Sequence, residues 1–147
     1  MIAQTIQLAL APVFVLVAIG NIMNILTTRL GRIVDRSRAL QKLHAETHGA
    51  EHDRVVVELR YVDRRIQLIG HALLLLVCSG LAIGVTVGTL FIGDINGFEL
   101  RHVTSVTFFL AIALLMVALI YLLLETRLVA QTLRLPQELL ELERRDL

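Results

Sequence analysis

Three long stretches without a lysine, arginine, aspartate or glutamate constrain this chain more than any other feature. They run from Met1 to Thr28, from Ile66 to Gly93 and from His102 to Leu124. An α-helix rises about 1.5 Å per residue and the hydrocarbon layer of a bilayer is about 30 Å thick, so about 20 apolar residues cross it once. Each window is long enough to span once and too short to span twice. A hydrophobic content of 56% and a mean hydropathy of +0.73 over 147 residues exclude an ordinary soluble domain. The expectation is an all-α membrane protein with three transmembrane helices, at about 6–28, 67–92 and 103–124, in a single unit covering 1–135.

The distribution of charge predicts the orientation. The formal net charge is only +1, but of the 14 lysines and arginines nine lie between Arg29 and Arg65 and four between Arg127 and Arg145. Arg101 stands alone in the link between the second and third windows. Basic residues collect on the cytoplasmic side, which places the segment 29–65 and the tail 136–147 inside and the N-terminus and the turn 93–101 outside. The first window reads as a retained span rather than a cleaved signal, because no basic residue precedes it and the basic cluster follows it. Cys78 is the one cysteine and sits within the second window, where a lone thiol serves packing.

The polar segment between the first two windows keeps helical spacing. Leu26, Leu30, Ile33, Val34, Ser37 and Leu40 recur on one face, with Arg29, Arg32, Arg36, Arg38 and Lys42 on the remainder. Val55, Leu59, Val62, Ile66, Ile69, Leu73 and Leu76 then alternate in steps of four and three, an a/d seam that runs into the second span. The breaker between them is His48-Gly49-Ala50, with Gly49 read as a helix C-terminal glycine. Two continuous helices, about Ile2 to Thr47 and Glu51 to Phe91, are expected to fold as a long antiparallel cytoplasmic hairpin. In that register Asp35 faces Val62 and Arg65, and Arg38 faces Glu58 and Leu59, offering weak ion pairs of about 0 to 1 kcal/mol. The third helix is expected to continue past Glu125 and Arg127 to Leu135, where Pro136 ends it. The tail beyond carries Leu139, Leu140 and Leu142 among charges and reads either as a surface helix or as a solvated terminus.

Several features are candidates for chemistry. Gly80, Gly84 and Gly88 share one helical face, a pattern that lets membrane helices approach closely, either within the chain or between subunits. Gln4, Gln7, Asn21, Asn24 and Thr28 form a polar stripe along the first span, with Ala11 and Ala18 beside them and Phe14 and Val17 between. Amides at that depth need a partner or water. They either bond between helices or, in a ring of copies, line a water-filled path in which Phe14 or Val17 forms an apolar constriction. Asp94 and Glu99 would then sit at an outer mouth, or else serve as ordinary loop acids. No span carries an acid deep in the bilayer, which disfavours a proton-coupled transporter. His71 lies near the inner boundary, at headgroup level. His44, His48 and His52 crowd the hairpin tip, as a metal site or merely a polar tip. No phosphate-cradling loop, nucleophile elbow or zincin pair occurs, and the acids read as lying on solvated faces beside arginines, so neither an enzyme nor a cofactor is expected. The basic run from Arg29 to Lys42 adjoins a membrane span and fits anionic lipid better than nucleic acid.

The run Leu10-Ala11-Pro12-Val13-Phe14-Val15-Leu16, followed by Gly20-Asn21-Ile22-Met23-Asn24-Ile25-Leu26-Thr27-Thr28-Arg29-Leu30 and Arg32-Ile33-Val34-Asp35-Arg36, resembles a family of small bacterial membrane proteins known as domain of unknown function family 2721. The three-span layout and Arg64-Arg65-Ile66 extend the likeness over most of the chain. The resemblance implies a bacterial inner-membrane location, marks Pro12, Asn24, Arg29, Arg32, Asp35 and Arg36, and supplies no activity. Pro12 also frees a carbonyl in mid-helix and permits a kink.

The expected function is a homo-oligomeric inner-membrane ion channel whose first span lines the pore. Its partners would be the lipid bilayer, further copies of itself and inorganic ions. The alternative is a non-conducting scaffold or accessory subunit that docks a cytoplasmic partner through the Val55, Leu59 and Val62 seam of the hairpin.

Overall fold

A computed structural model describes residues 2–96 and 100–132. These form three α-helices in the order α1 (Ile2–Glu46), α2 (Ala50–Asn96) and α3 (Arg101–Thr132). All three are long and apolar enough to cross a membrane. At about 1.5 Å per residue, the 45 residues of α1 and 47 of α2 each extend about 70 Å, more than twice a hydrocarbon layer. Helix α2 continues to Asn96 rather than stopping near Phe91, which places Gly93 and Asp94, expected in the outer turn, within its last turns. Glu99 and the tail 136–147 lie outside the described residues.

The turn between α1 and α2 depends on Gly49, whose φ of 72° lies in the left-handed region where a side chain is penalised. Gly49 begins α2 rather than ending α1, since its carbonyl accepts the Asp53 N–H at 3.2 Å. Thr47 closes α1, its N–H and Oγ1 both donating to the Leu43 carbonyl at 3.0 and 2.8 Å. Glu51 and Asp53 in the first turn of α2 oppose the positive end of its dipole.

A strict seven-residue repeat organises all three helices. On α1 the buried series is Thr5, Pro12, Ile19, Leu26, Ile33 and Leu40, and on α2 it is Val55, Val62, Ile69, Leu76 and Ile83. Residues Leu30, Leu59, Ile66 and Leu73 pack partly buried against this core, so the expected seam is the seam observed. A period of seven keeps one stripe facing its partner only if the helices coil left-handedly about each other. Pro12 takes a place in the seam and α1 runs through it without interruption.

A second series on α2 faces α3. Arg65, Ala72, Ser79 and Thr86 follow at seven-residue steps, opposite Glu125, Ala118 and Ala111 on α3, which keep the same step in the antiparallel sense. Ala72, Ala111 and Ala118 are almost fully buried, and the Ser79 Oγ donates to the Ala111 carbonyl at 2.7 Å. Small residues permit this approach where apolar solvent provides no drive to associate. Further along, Thr104 Oγ1 donates to Thr89 Oγ1 and Thr86 Oγ1 to Thr107 Oγ1, both at 3.0 Å. Thr89 and Thr107 in turn donate to the carbonyls of Thr86 and Thr104, so each hydroxyl is satisfied without water.

Candidate functional site

The three charge-free windows end at one place. Arg29 is the first charged residue after the first, Arg65 the last before the second and Glu125 the first after the third. The hairpin and the antiparallel packing of α3 bring all three together. Glu125 is fully buried, and it accepts from Arg29 Nη1 at 3.0 Å on Oε2 and from Arg65 Nε and Nη2 at 3.1 and 2.8 Å on Oε1. The node thus links α1, α2 and α3 through one carboxylate. A buried carboxylate is tolerated only when paired and hydrogen-bonded, a condition that two guanidinium groups meet here. Tyr61 supports it from one turn away, its ring 5.8 Å from the Arg65 guanidinium carbon and its hydroxyl donating to the Leu128 carbonyl at 3.2 Å.

Beside the node opens a cavity of about 370 Å³. Arg29, Arg32, Arg36 and Arg65 line it, above apolar walls formed by Ile33, Val62 and Val129. Arg29, Arg32 and Arg36 share one face of α1 by their spacing of three and four. Arg36 bonds Glu58 at 2.9 and 2.6 Å, while Arg32 has no acidic partner among the described residues. Three sequence expectations are corrected here. Arg38 does not face Glu58, because the register of the hairpin presents Arg36 to it, and Asp35 does not pair with Arg65, which is committed to Glu125. The sequence pattern puts the acids on solvated faces, yet Glu125 is buried. The missed signal is the heptad step Ala111, Ala118, Glu125, which carries the acid into the α2 interface.

The stripe of the first span turns outward. Gln4, Gln7, Phe14, Val17, Asn21, Asn24 and Thr28 are all exposed on the three-helix unit. Gln7, Phe14, Asn21 and Thr28 repeat every seven residues, two positions on from the buried Thr5, Pro12, Ile19 and Leu26, or about 200° around a helix of 3.5 residues per turn. The side-chain amides of Gln4, Gln7, Asn21 and Asn24 make no hydrogen bond among the described residues. Thr28 differs, since its hydroxyl donates to the Asn24 carbonyl at 2.9 Å.

The glycine face divides. A Cβ on Gly80 would lie 3.7 Å from Leu16 of α1, whereas nothing lies within 4 Å of one on Gly84 or Gly88. Close packing of α2 against α3 therefore uses Ala72 and Ser79 instead of the glycines. At the hairpin tip the rings of His44 and His52 lie 4.3 Å apart, and His48 is exposed. Among the described residues no three histidine, cysteine or acidic side chains converge as a metal-holding group. His71, near the start of the second charge-free window, stacks on Tyr121 with ring centres 5.6 Å apart. The Val55, Leu59 and Val62 seam faces inward and is occupied by the hairpin's own packing.

The sequence model of a family described as a protein of unknown function, DUF2721, matches residues 9–135. The chain belongs to the DUF2721 family. The match takes in Arg29, Arg65 and Glu125, and the DUF2721 resemblance carried by the first helix extends across all three helices. No curated protein and no solved structure matches the chain. Of the positions that the resemblance marked, Arg29, Arg32 and Arg36 gather at the cavity, Pro12 lies in the seam, and Asn24 and Asp35 are exposed.

Proposed function

We propose that this DUF2721 protein is a homo-oligomeric ion channel of the bacterial inner membrane, with α1 lining the conducting path. The single observation that carries the reading is the outward, unpartnered amide stripe of Gln7, Asn21 and Asn24 within an otherwise apolar span. Each such group exposed to hydrocarbon costs several kcal/mol, so it favours a neighbouring copy or water. A ring of copies with α1 toward the axis supplies both. Phe14 and Val17, on the same outward side, narrow such a path with apolar surface that sheds water when closed. Gly84, open on its outer side, offers a contact for a neighbouring subunit.

The N-terminus faces outward in this reading and the arginine-rich hairpin faces the cytoplasm, which the distribution of basic residues supports. Particle imaging of the full chain in lipid nanodiscs tests the arrangement. A symmetric ring with Gln7, Asn21 and Thr28 around the axis is expected, and a monomer with that face in lipid removes the channel reading.

A further inference from the structure

The arginine-lined cavity beside Glu125 has a charge excess that the node does not consume. Four arginines line it, and the acids that pair with them are Glu125 and Glu58. Arg32 is exposed and has no acidic partner among the described residues, while the side chain of Arg29 keeps 44% of its exposure and that of Arg36 55%. Several guanidinium donors therefore remain available for an anion, and their planar forks match phosphate oxygens well.

The depth of the cavity identifies the source of that anion. Arg29, Arg65 and Thr126 each lie within two residues of the end of an apolar window, so the cavity opens where the hydrocarbon stops and lipid phosphates begin. Ile33, Val62 and Val129 close the cavity on the side away from the apolar windows, so a headgroup held by the arginines leaves its chains on the hydrocarbon side. We infer that this cavity is a binding site for the phosphate of an anionic membrane phospholipid, held by Arg32 and Arg36 with Arg29 and Arg65 behind them. The inference rests on the reading of the three helices as membrane spans and is independent of conduction.

The test is native mass spectrometry of the full chain in mixed micelles containing phosphatidylglycerol, cardiolipin or phosphatidylcholine, with inorganic phosphate as a separate competitor. One basic residue near an anionic surface accounts for about fivefold in binding. Arg32→Gln is expected to weaken the anionic lipids about fivefold, and Arg32→Gln with Arg36→Gln more than tenfold. Arg54→Gln with Arg60→Gln, the same charge change on exposed hairpin residues outside the cavity, is expected to alter binding less than twofold. Arg32→Gln removes no ion pair, so its fold is retained and its result stands even if the double variant unfolds. Equal losses in both pairs would overturn the inference in favour of diffuse attraction. Displacement of the lipid by equimolar inorganic phosphate would overturn it in favour of a free-anion site, and equal binding of phosphatidylcholine, whose phosphate is neutralised by its own choline, would remove the preference for an anionic lipid.

Discussion

Arg65 reaches across from α2 to place Nε and Nη2 at 3.1 and 2.8 Å from a single oxygen, Oε1, of the fully buried Glu125 on α3. The other oxygen is left for Arg29 of α1. One carboxylate therefore fixes how all three helices meet at the boundary of the apolar windows.

Removing that carboxylate is predicted to cost more than the net worth of the ion pairs. Glu125→Ala leaves two guanidinium groups facing each other without a counter-charge. Because Arg29 and Arg65 are partly exposed and hydrate on relaxation, a loss of about 2 to 3 kcal/mol is expected. Replacing Arg65 and Glu125 together by leucine is expected to recover most of it. Reversible unfolding of the variants in mixed micelles measures both.

Ser79→Ala is expected to lower stability by about 0.5 to 1.5 kcal/mol, since it deletes the buried bond to the Ala111 carbonyl while leaving the helices equally close. Ser79→Leu is expected to cost more, because it forces α2 and α3 apart at a position with no exposure. Comparing the two unfolding midpoints separates hydrogen bonding from volume.

A Cβ at Gly84 would meet no atom of its own three-helix unit within 4 Å, so Gly84→Leu, starting into open space, is expected to leave the unit's unfolding unchanged. If subunits pack on that face, the same substitution lowers the oligomeric state, readable by light scattering in detergent. Gly49→Ala, by contrast, places a side chain at a φ of 72° and is expected to cost about 1 kcal/mol.

The long-range organisation was legible in the sequence because it is periodic. The apolar windows, the a/d seam from Val55 to Leu76 and the break at Gly49 each follow from spacing and backbone chemistry, and the helices observe them. The node is not legible in the same way, because Glu125 lies just past an apolar window among other charges, where a solvated acid is the ordinary expectation. Its burial emerges only when Ala111, Ala118 and Glu125 are placed on one heptad position facing Arg65. The cross-hairpin pairing is hidden for a related reason. The turn alone sets Asp35 opposite Arg65 and Arg38 opposite Glu58, whereas the core layers and the demand of Glu125 for Arg65 decide which side chains meet.

Ion flux through proteoliposomes holding the purified full chain tests the channel reading most directly, measured for the natural sequence and for Asn21→Leu. Asn21 is exposed on the outer face of α1 and absent from the core, so the substitution leaves the three-helix unit intact. The account predicts cation flux from the natural chain and a loss of at least about tenfold with Asn21→Leu, as an apolar ring replaces a hydrated one. Flux that is absent from the natural chain, or equal in the two proteins, would contradict it.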